Sequence, residues 1–311
     1  MSEALVTERV HVRAPGKVNV FFQVGAPGAD GYHEVASAYQ AVSLYEDLWA
    51  TPDDDVTIEV TGSVGLAGVP LDDRNLAVRA ARLLAAEAGY AGGVHLHVHK
   101  TVPVAGGMGG GSADAAAALV ACDALWGTGL STGELLRLGS ELGADVPFAL
   151  MGGTAVGTGR GDQLSPALAR GRFDWVLVVS EEGMSTPAVY AELDEYRAGA
   201  APHIPPTPVR PTVQPAVLQA IRQGDARMLA AASDNDLTPA VLRLRPALDD
   251  LIDLGLREEA MTALVSGSGP TVAFLTDGEQ SALELQVALS AAGYEALHVH
   301  GPVPGARVLP E

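Results

Sequence analysis

Apolar and polar residues alternate through much of the first sixty positions. Val10-His11-Val12-Arg13, Val18-Asn19-Val20-Phe21 and the stretch from Ala36 to Trp49 carry the period of two that half-buried strands show. A glycine- and aspartate-rich break from Ala26 to Tyr32 interrupts them, which predicts an antiparallel sheet. Val56 to Val60 adds a strand. The period becomes helical from Asn75 to Ala88, with apolar residues at Leu76, Val78, Ala80, Leu83 and Leu84. Alternation returns at Val94, Leu96 and Val98. A glycine-rich run follows, then an alanine-rich helix from about Ala113 to Trp126 and another from Thr132 to Leu142, stopped by Gly143.

Thr154 to Arg160 reads as a strand approaching a change of region. Beyond it the pattern predicts a strand at Trp175 to Ser180 and a helix from Pro187 to about Arg197. Five prolines between Pro202 and Pro211 predict an exposed connection. Helices are expected at Pro215 to Ile221, Ala226 to Ala232 and Val241 to Leu254, the last broken or kinked at Pro246. The chain closes with strand, glycine loop, strand, helix and strand: Thr262 to Val265, Ser266 to Pro270, Thr271 to Leu275, Ser281 to Ala292 and Ala296 to His300. Strands and helices mix without strict alternation and without an internal repeat, so the expected class is α+β in two lobes.

The run Pro103-Val104-Ala105-Gly106-Gly107-Met108-Gly109-Gly110-Gly111-Ser112-Ala113 carries the most chemistry. Its glycines let the backbone approach a ligand closely, and the run feeds a helix start whose free N–H groups and positive dipole end attract an anion. That is a phosphate cradle. It is not a Walker A loop, because no lysine precedes Ser112. It is not a dinucleotide fingerprint either, since Asp123 lies within the same helix instead of after a second strand. The lysine must come from elsewhere.

Length and composition then narrow the partners. The chain has 311 residues, enough for one large or two ordinary domains, with 48% hydrophobic and 18% charged residues. A formal net charge of −19 argues against nucleic acid and against an anionic membrane as partners. No apolar run spans a bilayer, and the early acids Glu3 and Glu8 fit no signal peptide. One cysteine, Cys122, permits no intrachain disulfide and reads as helix filling, so a cytoplasmic address is expected.

Only two of the 19 basic residues are lysines, Lys17 and Lys100, so each is a candidate for a role needing a compact ammonium. Asp145, before Val146-Pro147, either caps a short helix or accepts a proton from a substrate hydroxyl, and the two roles are compatible. Tyr32 and His33 follow a turn, where an aromatic ring stacks on a flat ligand. Ser185-Thr186-Pro187 offers a hydroxyl and Tyr190 a second aromatic. Ser266-Gly267-Ser268-Gly269-Pro270 suits backbone contact with an anion. His95, His97 and His99 share one strand face, but no cysteine or carboxylate completes a zinc site, so a plain sheet face is preferred.

These pieces together resemble the GHMP small-molecule kinases. Ala14-Pro15-Gly16-Lys17-Val18-Asn19, Pro103 to Ala115 and Val265 to Pro270 stand as three of the family's motifs, in order, and the resemblance covers nearly the whole chain. Asp30-Gly31-Tyr32-His33, Asn75-Leu76, Leu142 to Pro147 and Ser185-Thr186-Pro187 resemble the branch acting on a cytidine-diphosphate-linked polyol in the non-mevalonate route to isoprenoids. The resemblance implies a ribosomal-protein-S5-like N-terminal domain, residues 1–160, binding ATP. It implies a ferredoxin-like C-terminal domain, residues 161–311, binding substrate.

It further implies that Asp145 takes the proton of the acceptor's 2-hydroxyl while Lys17 stabilises developing charge. Asn19 and Thr186 would position the polyol, Tyr32 and Tyr190 would sandwich the cytosine, and His33 would read its edge. Ser266, Gly267, Ser268 and Gly269 join the substrate-binding set. Residues Pro103 to Ala113 and Asn75 would hold ATP, with Mg²⁺, for which Ser112 is the best ligand candidate. Two readings compete: a superfamily kinase for homoserine, mevalonate or a sugar, which would leave Tyr32 and His33 without a base, and a non-catalytic sensor, which would not need both Lys17 and Asp145.

Overall fold

A computed structural model describes residues 9–180, 183–200 and 206–310. The N-terminal alternation folds as one long hairpin. Strand β1 (Val10–Pro27) pairs antiparallel with β2 (His33–Asp53), from Val10 opposite Ala50 to Pro27 opposite His33. The two segments expected in β1 are thus one strand, with a register shift at Pro15/Gly16 where proline donates no ladder hydrogen bond. Strand β3 (Val56–Gly62), helix α1 (Leu76–Ala88) and β4 (Gly93–Lys100) follow, with β4 lying between β2 and β3.

Helices α2 (Gly110–Trp126), α3 (Thr132–Leu142) and α4 (Val146–Met151) come next. With α1 they bury the apolar face of that sheet: Val94, Leu96 and Val98 of β4 pack with Leu84, Leu119, Leu138 and the alanines of α2. Alanine side chains let α2 lie close against the strands. The histidines alternating with those residues turn to the other face, where His95 pairs with Thr57, and His97 and His99 with Thr61.

Strands β5 (Thr154–Thr158) and β6 (Gln163–Pro166) form a hairpin whose first strand pairs with Ser37–Gln40 of β2. The division expected at residue 160 therefore falls inside a hairpin that extends the N-terminal sheet. Strand β7 (Phe173–Val178) begins the second sheet.

Helix α5 (Thr186–Ala200) is followed by α6 (Pro215–Gln223), α7 (Ala226–Ala232), α8 (Thr238–Leu244) and α9 (Ala247–Arg257). The break between α8 and α9 lies at Pro246, as its lack of an N–H predicts. Strands β8 (Thr262–Val265) and β9 (Val272–Thr276), helix α10 (Glu279–Ala291), β10 (Ala296–Gly301) and β11 (Arg307–Val308) complete the chain.

The second sheet runs β10-β7-β9-β8, all antiparallel. Helices α9 and α10 cover one face through Leu251, Leu285 and Leu289, and the other face presses Phe173, Trp175 and Leu177 onto Val18, Phe21 and Val42 of the long hairpin. The lobes thus share a core. Strand β11 returns to β1, so the last residues also belong to the first sheet.

Of the proline-rich connection, Pro202 and Pro205 lie outside the described residues. Pro211 is buried, not exposed, because the following Thr212 N–H is fixed to Gln23 Oε1 at 2.9 Å on β1. Among the described residues no helix is long and apolar enough to cross a membrane.

Candidate active site

The glycine run connects β4 to α2, and α2 starts at Gly110, earlier than the expected Ala113. Gly109, at φ 73°, is the N-cap residue and supplies no side-chain cap. The first-turn N–H groups of Gly110, Gly111 and Ser112 therefore have no intrahelical partner, as an anion site requires. Gly107 is obligatory: at φ 80° a Cβ would lie 2.1 Å from Ser266 O. The two glycine loops thus interlock, with Ser266 Oγ donating to Gly107 O. Ala105 adopts φ 54° without being glycine.

Lys17 sits in β1 beside this loop, its N–H donating to Met108 O at 3.0 Å. Its Nζ donates to Asn19 Oδ1 at 2.6 Å and lies 3.9 Å from Asp145 Oδ2. Burial pushes the ammonium's pKa down, and the Asp145 carboxylate partly opposes that. Asp145 is the residue preceding α4, yet its side chain caps nothing there. The capping role left open by the sequence is not made. The carboxylate instead borders a cavity of about 310 Å³ with Lys17, Asn19, Ser112, Thr186, Tyr190, Gly267 and Ser268.

A second cavity of about 640 Å³ adjoins it, lined by Tyr32, His33, Asp30 and Arg160. Arg160 borders both cavities. Its guanidinium lies 3.8 Å over the Tyr32 ring and its Nη2 donates to Asp30 Oδ2 at 2.7 Å. Tyr190, expected opposite Tyr32, packs instead on His33, ring centroids 5.1 Å apart and planes tilted by 44°. Burial raises the Tyr190 pKa to about 12, so it stays a neutral phenol. His33 Nδ1 contacts Gly25 O at 2.9 Å and Nε2 lies 3.3 Å from Asp194 Oδ2.

A third cavity, about 260 Å³, opens on the other side of the phosphate loop, between Val69, Pro70, Leu76, Val104 and Ala105. Asn75 lies at its edge, with Oδ1 capping α1 through the Ala77 N–H and Nδ2 donating to Pro70 O. Lys100 and Asp114 line its floor. Here the second scarce lysine serves the structure. Its Nζ donates to Glu46 Oε1 at 2.8 Å and to Asp114 Oδ2 at 2.6 Å, all three residues being buried. Burial, and then the neighbouring Asp114 charge, lift the Glu46 pKa to about 8 against the pull of Lys100.

Pro103, Gly106, Met108, Gly110 and Ala113 are buried behind these walls, as are Ser266 and Gly269. Ser268 reaches the first cavity and bonds the Thr186 hydroxyl at 2.8 Å. Sequence reasoning missed Arg160, Glu46, Asp114, Asp194 and Ser37. Two carried a readable signal: Asp114 is a lone acid in a buried alanine run, and Arg160 stands between two glycines. Among the described residues no three or more His, Cys, Asp or Glu gather as a metal site.

Comparison with known proteins gives the family. The GHMP kinases N terminal domain matches residues 75–153 and the GHMP kinases C terminal domain matches residues 217–295. A 4-diphosphocytidyl-2-C-methyl-D-erythritol kinase of Clavibacter michiganensis is 58% identical over 99% of both chains. That of Leifsonia xyli is 58% identical over 97% of this chain and 99% of its own. A crystal structure of 4-(cytidine 5'-diphospho)-2C-methyl-D-erythritol kinase superposes with a TM-score of 0.74 at 31% identity, covering 93% of this chain and 98% of that one. Homoserine kinase from Cytophaga hutchinsonii, 18% identical with a TM-score of 0.74 over 99% of this chain and all of its own, shares the fold. The chain belongs to the GHMP kinases, and within them to the 4-diphosphocytidyl-2-C-methyl-D-erythritol kinases.

Proposed function

We propose that this chain transfers the γ-phosphoryl group of ATP to the 2-hydroxyl of 4-diphosphocytidyl-2-C-methyl-D-erythritol, with Lys17 and Asp145 at the point of transfer. The main support is the placement of this pair: it borders one cavity with the start of α2, and that cavity adjoins the one holding Tyr32 and His33. Phosphoryl transfer asks chiefly for alignment and charge stabilisation, and this arrangement offers both.

The free N–H groups of Gly111 and Ser112 hold phosphate oxygens, and the apolar cavity beside Asn75 holds the nucleoside. Asp145 accepts the acceptor's hydroxyl proton as the new O–P bond forms and the bond to ADP breaks. Lys17 balances charge on the transferring group. The Ser112 hydroxyl and the phosphate oxygens make a hard oxygen donor set that fits Mg²⁺, with water completing it; the ion neutralises phosphate charge when bound. Tyr32 offers a stacking face for cytosine, with His33 at the base's edge and Tyr190 beside it. Asn19 has its Nδ2 committed to Ser37 and its Oδ1 to Lys17, so it serves the acceptor mainly by holding Lys17. The acceptor thus sits between the lobes, with Lys17 and His33 from the first sheet, Tyr32 from the turn before β2, and Thr186 and Tyr190 from α5.

The test is release of ADP with purified protein, ATP and either the cytidine-containing acceptor or the same polyol phosphate without cytidine. Turnover confined to the cytidine acceptor is expected. Turnover only with the cytidine-free acceptor contradicts the substrate assignment, and binding without turnover contradicts the kinase.

A further inference from the structure

Ser37 belongs to β2, opposite Phe22 in the long hairpin, and is fully buried. Its Oγ donates to Phe21 O at 3.0 Å and receives Asn19 Nδ2 at 2.7 Å. Asn19 Oδ1 in turn receives Lys17 Nζ at 2.6 Å. This chain of three hydrogen bonds has a fixed polarity. At one end stands a backbone carbonyl, which only accepts, and at the other an ammonium, which only donates. The single hydroxyl proton of Ser37 is spent on Phe21 O, so its oxygen is left to accept from the amide NH₂. The amide oxygen must then face Lys17.

We infer that Ser37 is a positioning residue for phosphoryl transfer, setting the sense of the Asn19 amide and through it the place of the Lys17 ammonium. The assignment rests on the proposed role of Lys17 but concerns a different residue. The surroundings leave little else to hold Nζ. A Cβ on Gly267 would lie 3.3 Å from Nζ and 3.1 Å from Asn19 Oδ1, so the second glycine loop presses on both. The Tyr39 ring of β2 stands 5.8 Å from Nζ; its phenol, kept neutral by burial, is a further hydrogen-bond neighbour of Ser37 and leaves the bonds to Phe21 O and Asn19 in place. Asp145, before α4, is an ion-pair partner at 3.9 Å, beyond hydrogen-bond reach.

Without Ser37 the amide has two poor choices. It can leave its NH₂ buried and unpaired, or turn that NH₂ toward the ammonium. Either arrangement makes the charged form of Lys17 less favourable and its position less certain.

The chain contains only two lysines, so labelling with ζ-¹⁵N lysine gives two side-chain signals, and Lys100 serves as an internal reference. In Ser37→Ala the Lys17 signal is expected to titrate about one pH unit lower than in the wild type, a tenfold change in proton affinity, with Lys100 unmoved. The kcat should fall about tenfold, and the basic limb of its pH profile should move down with Lys17. Ser37→Thr, which keeps the hydroxyl, should restore both. In an Asn19→Ala background, Ser37→Ala should cost little more, because it acts through the amide. An unmoved Lys17 titration in the folded Ser37→Ala protein overturns the inference. So does an equal loss of kcat in the Asn19→Ala background. A wild-type protein that fails to phosphorylate the cytidine acceptor faults the kinase reading instead, and the titration still decides the role of Ser37.

Discussion

Lys17 Nζ and Asp145 Oδ2 face each other across 3.9 Å, close enough for an ion pair and too far for a direct hydrogen bond. The carboxylate is a third exposed while the ammonium is buried, so both retain bonding capacity toward the cavity they share. In the proposed mechanism that capacity meets the acceptor hydroxyl from one side and the phosphoryl group from the other.

The state of Lys17 gives activity a pH dependence of known sign. Burial holds its pKa below the usual 10.5. Since the ammonium is the working form, kcat should be steady below that depressed pKa and fall as pH rises through it, earlier than for a solvent-exposed lysine. Lys17→Arg keeps a charge at all pH values but replaces a compact ammonium with a planar fork, where Gly109 and Gly267 already approach the side chain. A kcat at least about 100-fold lower is expected, measured as steady-state ADP release from pH 6 to 10.

Tyr32 is 58% exposed and carries Arg160 on its face. With the base stacked on the opposite face of the ring, Tyr32→Ala should raise the acceptor KM about 10- to 100-fold, the range of a lost base–aromatic stack. The kcat at saturation should change less than threefold, and Tyr32→Phe should behave as wild type. Initial rates over an acceptor series provide the check.

The phosphate loop was legible from residue order, because five glycines before an alanine-rich segment leave few alternatives to a close-approach turn into a helix. The pairing of Lys17 with Asp145 was legible only as a resemblance. No periodicity brings a residue of β1 to the residue before α4; the stacking of α2 and α4 on the β1–β2 hairpin does. Lysine scarcity pointed equally to Lys100, which proved to be a buried bridge between two acids. Of its partners, Asp114 shows only as a lone acid in an alanine run, and Glu46 reads as an ordinary polar position, since burial of a charge is a tertiary property. Arg160 shows in the sequence only through its two flanking glycines; its contact with Tyr32 is tertiary, made because the β5–β6 hairpin pairs back along β2.

Glu46 predicts a stability slope. Its folded pKa of about 8 exceeds the ordinary 4.5, so the folded state binds this proton more tightly than the unfolded one. The contribution is full below about pH 4.5 and is lost as pH rises through about 8. Denaturant midpoints should therefore decline from pH 5 to pH 8.5, and Glu46→Gln should flatten the decline. An unchanged slope in that variant contradicts the assignment.

Ala105 sits at φ 54° in the phosphate loop, a conformation costing an L-residue about 1–2 kcal/mol. Ala105→Gly relieves that cost but adds disorder to the unfolded chain worth about 0.4–1 kcal/mol. A net gain of up to about 1.6 kcal/mol in chemical denaturation is expected, and a loss of stability speaks against the strained backbone.

Turnover paired with binding in Asp145→Asn probes the transfer step itself. Phosphoryl transfer between Lys17 and Asp145 requires a kcat lower by about 100-fold or more, the scale of a removed general base, while calorimetric affinity for the cytidine acceptor stays within about threefold. Near-wild-type turnover in this variant would contradict the claim that the phosphoryl group passes between these two residues.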